Sequence, residues 1–147
     1  MKILAIASTG GHWIQLLRLK PAFQDNDVVF ASTKSNFAST VKGYAFHSVP
    51  DANRWNKLQL IHTFFKIWKL ISQTKPDVII TTGAAPGLLA VIVGKIRNIK
   101  TVWIDSIANA EKLSMSGKLA TYFSDKVYTQ WLHLANDKVV FSGNIIR

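Results

Sequence analysis

The chain has 147 residues, enough for one compact domain and too few for two ordinary ones. A composition of 48% apolar and 18% charged residues supports a packed core and excludes a disordered chain. The absence of cysteine excludes a disulfide framework and a thiolate metal site, and the formal charge of +10 calls for an anionic partner such as nucleic acid, acidic lipid or phosphate.

In chain order, Lys2–Ala7 reads as a buried parallel strand. Ser8-Thr9-Gly10-Gly11 follows as a turn, and Trp13, Leu16 and Leu17 then recur at helical spacing. Val28–Ala31 and Ala45–Val49 are the next strands, with room for only a short helix at Ser35–Val41 between them. After the polar, aromatic-bearing loop Pro50–Asn56, Lys57–Thr74 has the longest helical pattern, with Leu58, Ile61, Phe65, Trp68 and then Ile71 or Ser72 along one side; Pro76 ends it. Asp77–Thr81 is a fourth strand, Gly83–Gly87 a turn, Leu88–Arg97 a helix and Thr101–Ile104 a fifth strand. A helix from Ser116 to Phe123, a strand at Lys126–Thr129 and an optional one at Val139–Phe141 complete the pattern. This βα alternation predicts an α/β fold: one Rossmann-like, doubly wound, mostly parallel sheet over residues 1–147, with ligands at the carboxyl ends of its strands. Met1–Ala7 has neither the length nor the cleavage site of a signal peptide, and no run reaches the roughly 20 apolar residues of a bilayer span. The chain can lie on a membrane but is not expected to cross it.

Three turns can carry chemistry. Thr9, Gly10 and Gly11 precede a helix, where small residues and free N–H groups suit a phosphate; the same residues also make an ordinary tight turn. The adjoining His12 is the leading catalytic candidate, because an imidazole is the side chain suited to proton transfer near neutrality. Gly83, Ala84, Ala85 and Gly87 form a second small-residue turn, which either shares in cradling a diphosphate or lets a helix approach the sheet. Asp105 ends the fifth strand, with Ser106, Asn109 and Glu111 behind it as substrate-binding candidates. Its carboxylate can orient His12, hold a sugar hydroxyl, act as a base or cap a turn. The remaining histidines stand alone, so no metal is predicted, and no motif calls for a cofactor.

Trp55, Lys57, Phe64, Phe65 and Trp68 mix bulky aromatics with lysines around the long helix, a pattern that serves either an anionic membrane interface or the core. The lysines are otherwise scattered, so a nucleic-acid partner is not expected.

Several segments together resemble a known family. They are Ser8-Thr9-Gly10-Gly11-His12, Lys75–Gly83, Trp103-Ile104-Asp105-Ser106, Leu113–Leu119, Asp125, Gln130-Trp131 and Gly143-Asn144. The chain resembles the acceptor-side subunits of bacterial two-component polysaccharide glycosyltransferases and the eukaryotic asparagine-linked glycosylation protein fourteen family. It is also similar to the amino-terminal half of the enzyme that adds N-acetylglucosamine to the lipid-linked peptidoglycan precursor. The resemblance implies the amino-terminal, acceptor half of a GT-B glycosyltransferase, with a separate donor-binding subunit for the UDP-sugar docking near the strand ends and the Gly143–Arg147 tail. It further implies an undecaprenyl-diphosphate-linked sugar as acceptor, capsule or exopolysaccharide as product, and peripheral attachment at the cytoplasmic face of the cell membrane. His12 would then be the base and Asp105 would align the acceptor sugar or His12, although related motifs often carry Glu where this chain has Asp105. The rival expectation is a non-catalytic membrane recruiter that activates a separate catalytic subunit.

Overall fold

The apolar runs become seven strands in a computed structural model that describes residues 1–146: β1 (Lys2–Ile6), β2 (Asp27–Ser32), β3 (Ala45–Ser48), β4 (Val78–Thr81), β5 (Lys100–Ile104), β6 (Lys126–Thr129) and β7 (Val140–Phe141). Their order across the sheet is β3-β2-β1-β4-β5-β6-β7, and every strand pairing is parallel, where the sequence pattern required only a mostly parallel sheet. The chain starts mid-sheet, winds outward to β3 and returns to lay β4 against β1, with Ile6 opposite Thr81. That reversal makes the gap beyond the carboxyl ends of β1 and β4 the switch-point crevice of the sheet.

Strand alternation divides the core between two faces. Leu4, Ile6, Val29, Ala31 and Ile79 pack against α2 (Lys57–Thr74) and α3 (Ala84–Ile96). Ile3, Ala5, Val28 and Phe30 pack against Trp13 and Leu16 of α1 (Gly11–Arg18), and against Phe23 and Val41 from the 3₁₀ segments Lys20–Phe23 and Ser35–Val41. On the first face, fully buried Trp103 and Val127 meet Val91 of α3 and Ala120 of α4 (Met115–Phe123).

Two expectations need correction. The small residues Ala84–Gly87 are the first turn of α3 rather than a loop before it. A Cβ at Gly87 would collide with the Thr81 side chain, and one at Gly94 would lie 2.5 Å from Thr101 Cγ2, so these glycines let the helix press onto the sheet. On α2, the residues turned to the sheet are Thr63, Ile67, Leu70, Ile71 and Thr74, whereas Leu58, Ile61 and Phe65 face outward. The helix thus has two apolar stripes on roughly opposite sides, and the sequence pattern began on the exposed one and ran into half-buried Trp68 and buried Ile71. It ends where Lys75 takes a left-handed conformation (φ 46°) and donates its N–H to the Ile71 carbonyl, a stop enforced by the restriction Pro76 places on its predecessor.

Candidate functional site

The crevice between β1 and β4 is bridged by one reciprocal pair of hydrogen bonds. His12, in the first turn of α1, places Nδ1 2.8 Å from the Thr82 carbonyl, and the Thr82 hydroxyl donates to the His12 carbonyl at 2.6 Å. Gly83 beside it has φ +122°, and a Cβ there would sit 2.9 Å from His12 Nδ1. The ring therefore rests on a surface that only glycine leaves open. Gly83 N–H is tied to Thr81 Oγ1 at 3.1 Å. Neither α1 nor α3 has a side-chain cap at its start, so their first N–H groups point into this region uncapped. Thr9 is half-buried, Gly10 and Gly11 are exposed, and Ala84 and Ala85 are half-buried at the crevice rim.

Asp105 stands in a different environment, at 1% exposure. Its Oδ1 accepts from Trp103 Nε1 (3.1 Å) and Ser114 Oγ (2.6 Å), and its Oδ2 from Asn109 Nδ2 (3.1 Å) and Ser114 N (3.0 Å). Four donors occupy the four lone-pair directions a carboxylate offers. Ser114 also caps α4 by accepting from Gly117 N at 2.8 Å, and a Cβ on Gly117 would come within 2.5 Å of Asp105 Oδ1. The Ser114-Met115-Ser116-Gly117 motif is thus explained by one requirement, a buried carboxylate held against a helix start. Among the described residues no hydrogen bond joins Asp105 to His12; the group that orients the imidazole is the Thr82 carbonyl. The expected substrate-binding residues are also engaged within the protein. Asn109 is bound to Asp105, Ser106 is buried with its hydroxyl accepting from Gln15 Nε2 (2.9 Å) and Ala108 N (3.2 Å), and Gly87 faces Thr81 inside α3. Glu111 is exposed on the same loop.

Sequence reasoning placed Thr82 and Gln130 in its motifs without a site role and passed over Gln15. Gln15, 6% exposed on α1, donates to Ser106 and accepts from Ile107 N (3.1 Å) and Gln130 Nε2 (2.7 Å); Gln130 also donates to the Asp105 carbonyl (2.9 Å) and accepts from Ile145 N (3.2 Å). Gln15 lies off the Trp13, Leu16 and Leu17 stripe of its helix, so the sequence pattern carried no signal for its burial. This relay ties the helix bearing His12 to the ends of β5 and β6 and to the tail. There Leu19, Ile104, Tyr128 and the Gly143–Ile145 segment enclose a hollow of about 220 Å³. Of the tail expected to meet a partner, Arg147 lies outside the described residues. Among the described residues, no three His, Asp or Glu side chains are grouped as a metal ion requires.

The outer surface of the α2–α3–α4 layer carries exposed apolar side chains among its lysines. Trp55 is 79% exposed, Leu58 80%, Ile61 54% and Phe65 64%. Ile96 of α3 and Met115, Leu119 and Tyr122 of α4 are exposed as well. Of the expected interfacial residues, Trp55, Lys57 and Phe65 point outward, while Phe64 and Trp68 are half-buried against the core, Trp68 beneath the Arg97 guanidinium at 5.4 Å. Arg54 links this surface to the crevice end of the sheet, lying over the Trp55 ring at 4.7 Å and reaching Met115 Sδ at 3.0 Å at the start of α4. No helix among the described residues is long and apolar enough to cross a membrane.

The family model described as "Oligosaccharide biosynthesis protein Alg14 like" matches residues 3–145. A human protein named UDP-N-acetylglucosamine transferase subunit ALG14 is 27% identical over 99% of this chain and 83% of its own length. The subunit of the same name in Schizosaccharomyces pombe is 30% identical over 90% of this chain and 77% of its own. In three dimensions, Acinetobacter baumannii MurG superposes with a TM-score of 0.79 at 12% identity, over 97% of this chain. The chain spans about half of that protein, 46% of its length, and the fold it shares is a Rossmann-like half of a GT-B enzyme.

Proposed function

The chain belongs to the family of Alg14-like oligosaccharide biosynthesis proteins, and from that premise we propose that it is the acceptor- and membrane-binding subunit of a two-component glycosyltransferase. Its partner supplies the UDP-sugar site, and the acceptor is a sugar on undecaprenyl diphosphate at the cytoplasmic face of the cell membrane, in the assembly of capsule or exopolysaccharide. The relatives named UDP-N-acetylglucosamine transferase subunits support the reaction class and make UDP-N-acetylglucosamine the first donor to try.

The observation that carries this reading is the His12 ring anchored across the switch-point crevice. The carbonyl of Thr82 accepts, so Nδ1 bears the proton, and in the neutral ring Nε2 is left as a base facing the acceptor hydroxyl. Thr9, Gly10, Gly11 and the start of α3 at Gly83, Ala84 and Ala85 surround the acceptor diphosphate with uncapped helix N–H groups. Glu111 reaches the acceptor sugar from the loop that Asp105 holds in place. The outward stripe Trp55, Leu58, Ile61 and Phe65 enters the membrane interface with Lys57 near anionic headgroups, which keeps the lipid tail of the acceptor close to its diphosphate.

The test is a transfer assay with radiolabelled UDP-sugars and membranes holding undecaprenyl-diphosphate-linked sugar, using this chain, its genetic neighbour, or both. Transfer by the mixture only is the expected result, and transfer by this chain alone would mean that it also binds the donor. The saturated Asp105 carboxylate favours one second reading, a membrane recruiter whose partner contains every catalytic group. That reading gains if the neighbour alone transfers sugar, or if His12→Ala leaves turnover near normal.

A further inference from the structure

We propose that Thr82 is a positioning residue for His12, one that selects which ring nitrogen is basic. The inference rests on the reading of His12 as a base, but its physical part concerns this chain alone. A carbonyl oxygen cannot donate, so the 2.8 Å contact from His12 Nδ1 to Thr82 O requires the proton on Nδ1. A neutral imidazole carries one N–H, and the basic lone pair is therefore on Nε2. Nε2 has no hydrogen-bond partner among the described residues.

Four features of the Thr81-Thr82-Gly83 segment act together on this ring. The Thr81 hydroxyl accepts from Gly83 N–H at 3.1 Å and so fixes the peptide that follows Thr82. The Thr82 hydroxyl, fully buried, donates to the His12 carbonyl at 2.6 Å and locks the start of α1 against β4 across 70 residues of sequence. The Thr82 carbonyl then holds the ring. Gly83 leaves the space it occupies, since a Cβ there would lie 2.9 Å from Nδ1, 3.0 Å from Cε1 and 3.5 Å from the Trp103 ring. A carbonyl in this role orients and selects the tautomer as a carboxylate would, but adds no charge to the buried side of the site.

The direct test is a long-range ¹H–¹⁵N correlation spectrum of the ¹⁵N-labelled full chain at about pH 8.5, where an ordinary imidazole is neutral. The His12 signals are identified by their loss in His12→Gln. A protonated, pyrrole-type Nδ1 and a pyridine-type Nε2 are expected; an Nε2–H ring, or two averaged nitrogens, overturns the proposal. Thr82→Val keeps the shape and removes the hydroxyl. It should shift the ring signals toward an averaged mixture and lower kcat of the reconstituted pair about tenfold, the effect of one hydrogen bond. KM for the nucleotide sugar should not change, and Thr82→Ser should restore both readouts. Unchanged ring signals and unchanged kcat in a folded Thr82→Val chain also overturn the proposal, and if that variant does not fold, the wild-type spectrum decides. The spectrum needs neither partner nor substrate. A pyrrole-type Nδ1 together with normal turnover of His12→Ala would therefore remove His12 from catalysis while leaving the tautomer assignment intact.

Discussion

The His12 crevice and the Asp105 loop both sit at carboxyl ends of central strands, and both carry a side chain suited to proton transfer, yet the fold treats them oppositely. At Asp105 every lone pair is matched by a donor and the group is sealed at 1% exposure. At His12 one nitrogen is held, the other has no partner among the described residues, and the neighbouring helix starts are uncapped. A polar residue in the right place in an α/β sheet is thus a candidate for chemistry only if hydrogen-bonding capacity remains after the fold has been satisfied. The same contrast divides α2, where Ile67 and Ile71 are fully buried and Leu58, Ile61 and Phe65 are exposed.

Substitutions on the two sides of this contrast should fail in different ways. Asp105→Ala orphans several buried donors at about 1–3 kcal/mol each, so a loss of at least about 3 kcal/mol is expected in denaturant unfolding. A stable Asp105→Ala chain with selectively lost turnover would break the comparison and return this carboxylate to the mechanism. His12→Ala should lower turnover of the reconstituted pair at least about 100-fold, the low end of general-base effects. Its unfolding free energy should fall by about 0.5–1.5 kcal/mol, the loss of one hydrogen bond. Gly87→Ala, on the packed side, forces a methyl into the Thr81 side chain and should cost about 1–3 kcal/mol by thermal melting. A neutral result would mean that the turn has room for a ligand after all. The smallest change in stability, within about 0.5 kcal/mol, is expected for the combined Leu58→Ser, Ile61→Ser and Phe65→Ser chain. Its sedimentation with vesicles containing acidic phospholipid should weaken at least about tenfold, and undiminished binding would locate the membrane contact elsewhere.

The central strands were readable because they are short apolar runs bounded by turn residues, and helix α2 was readable to the residue because Asn56 and Pro76 bracket it. The glycine turn before His12 was visible for the same reason: glycines after a buried run have few other uses. Thr82 was not, since its role depends on a carbonyl that every residue possesses and on a partner 70 positions away. Gln15 resembled an ordinary surface residue until Ser106, Ile107 and Gln130 closed around it. The first turn of α3 was misread because Ala84 enters at φ 65°, and small residues there look like a loop when the helix pressing on the sheet is not in view.

Local pattern alone determined the βα alternation, the parallel sheet, the strand-to-helix turns and the list of residues that can do chemistry, because hydrophobic period and turn chemistry act over a few residues. Tertiary structure alone decided which of two apolar stripes on α2 faces the core, that Asp105 is buried with a donor at each lone pair, and that a threonine carbonyl holds His12. Each of these depends on which distant groups come to lie within about 3 Å, and hydrogen bonding at that range is set by packing across the sheet.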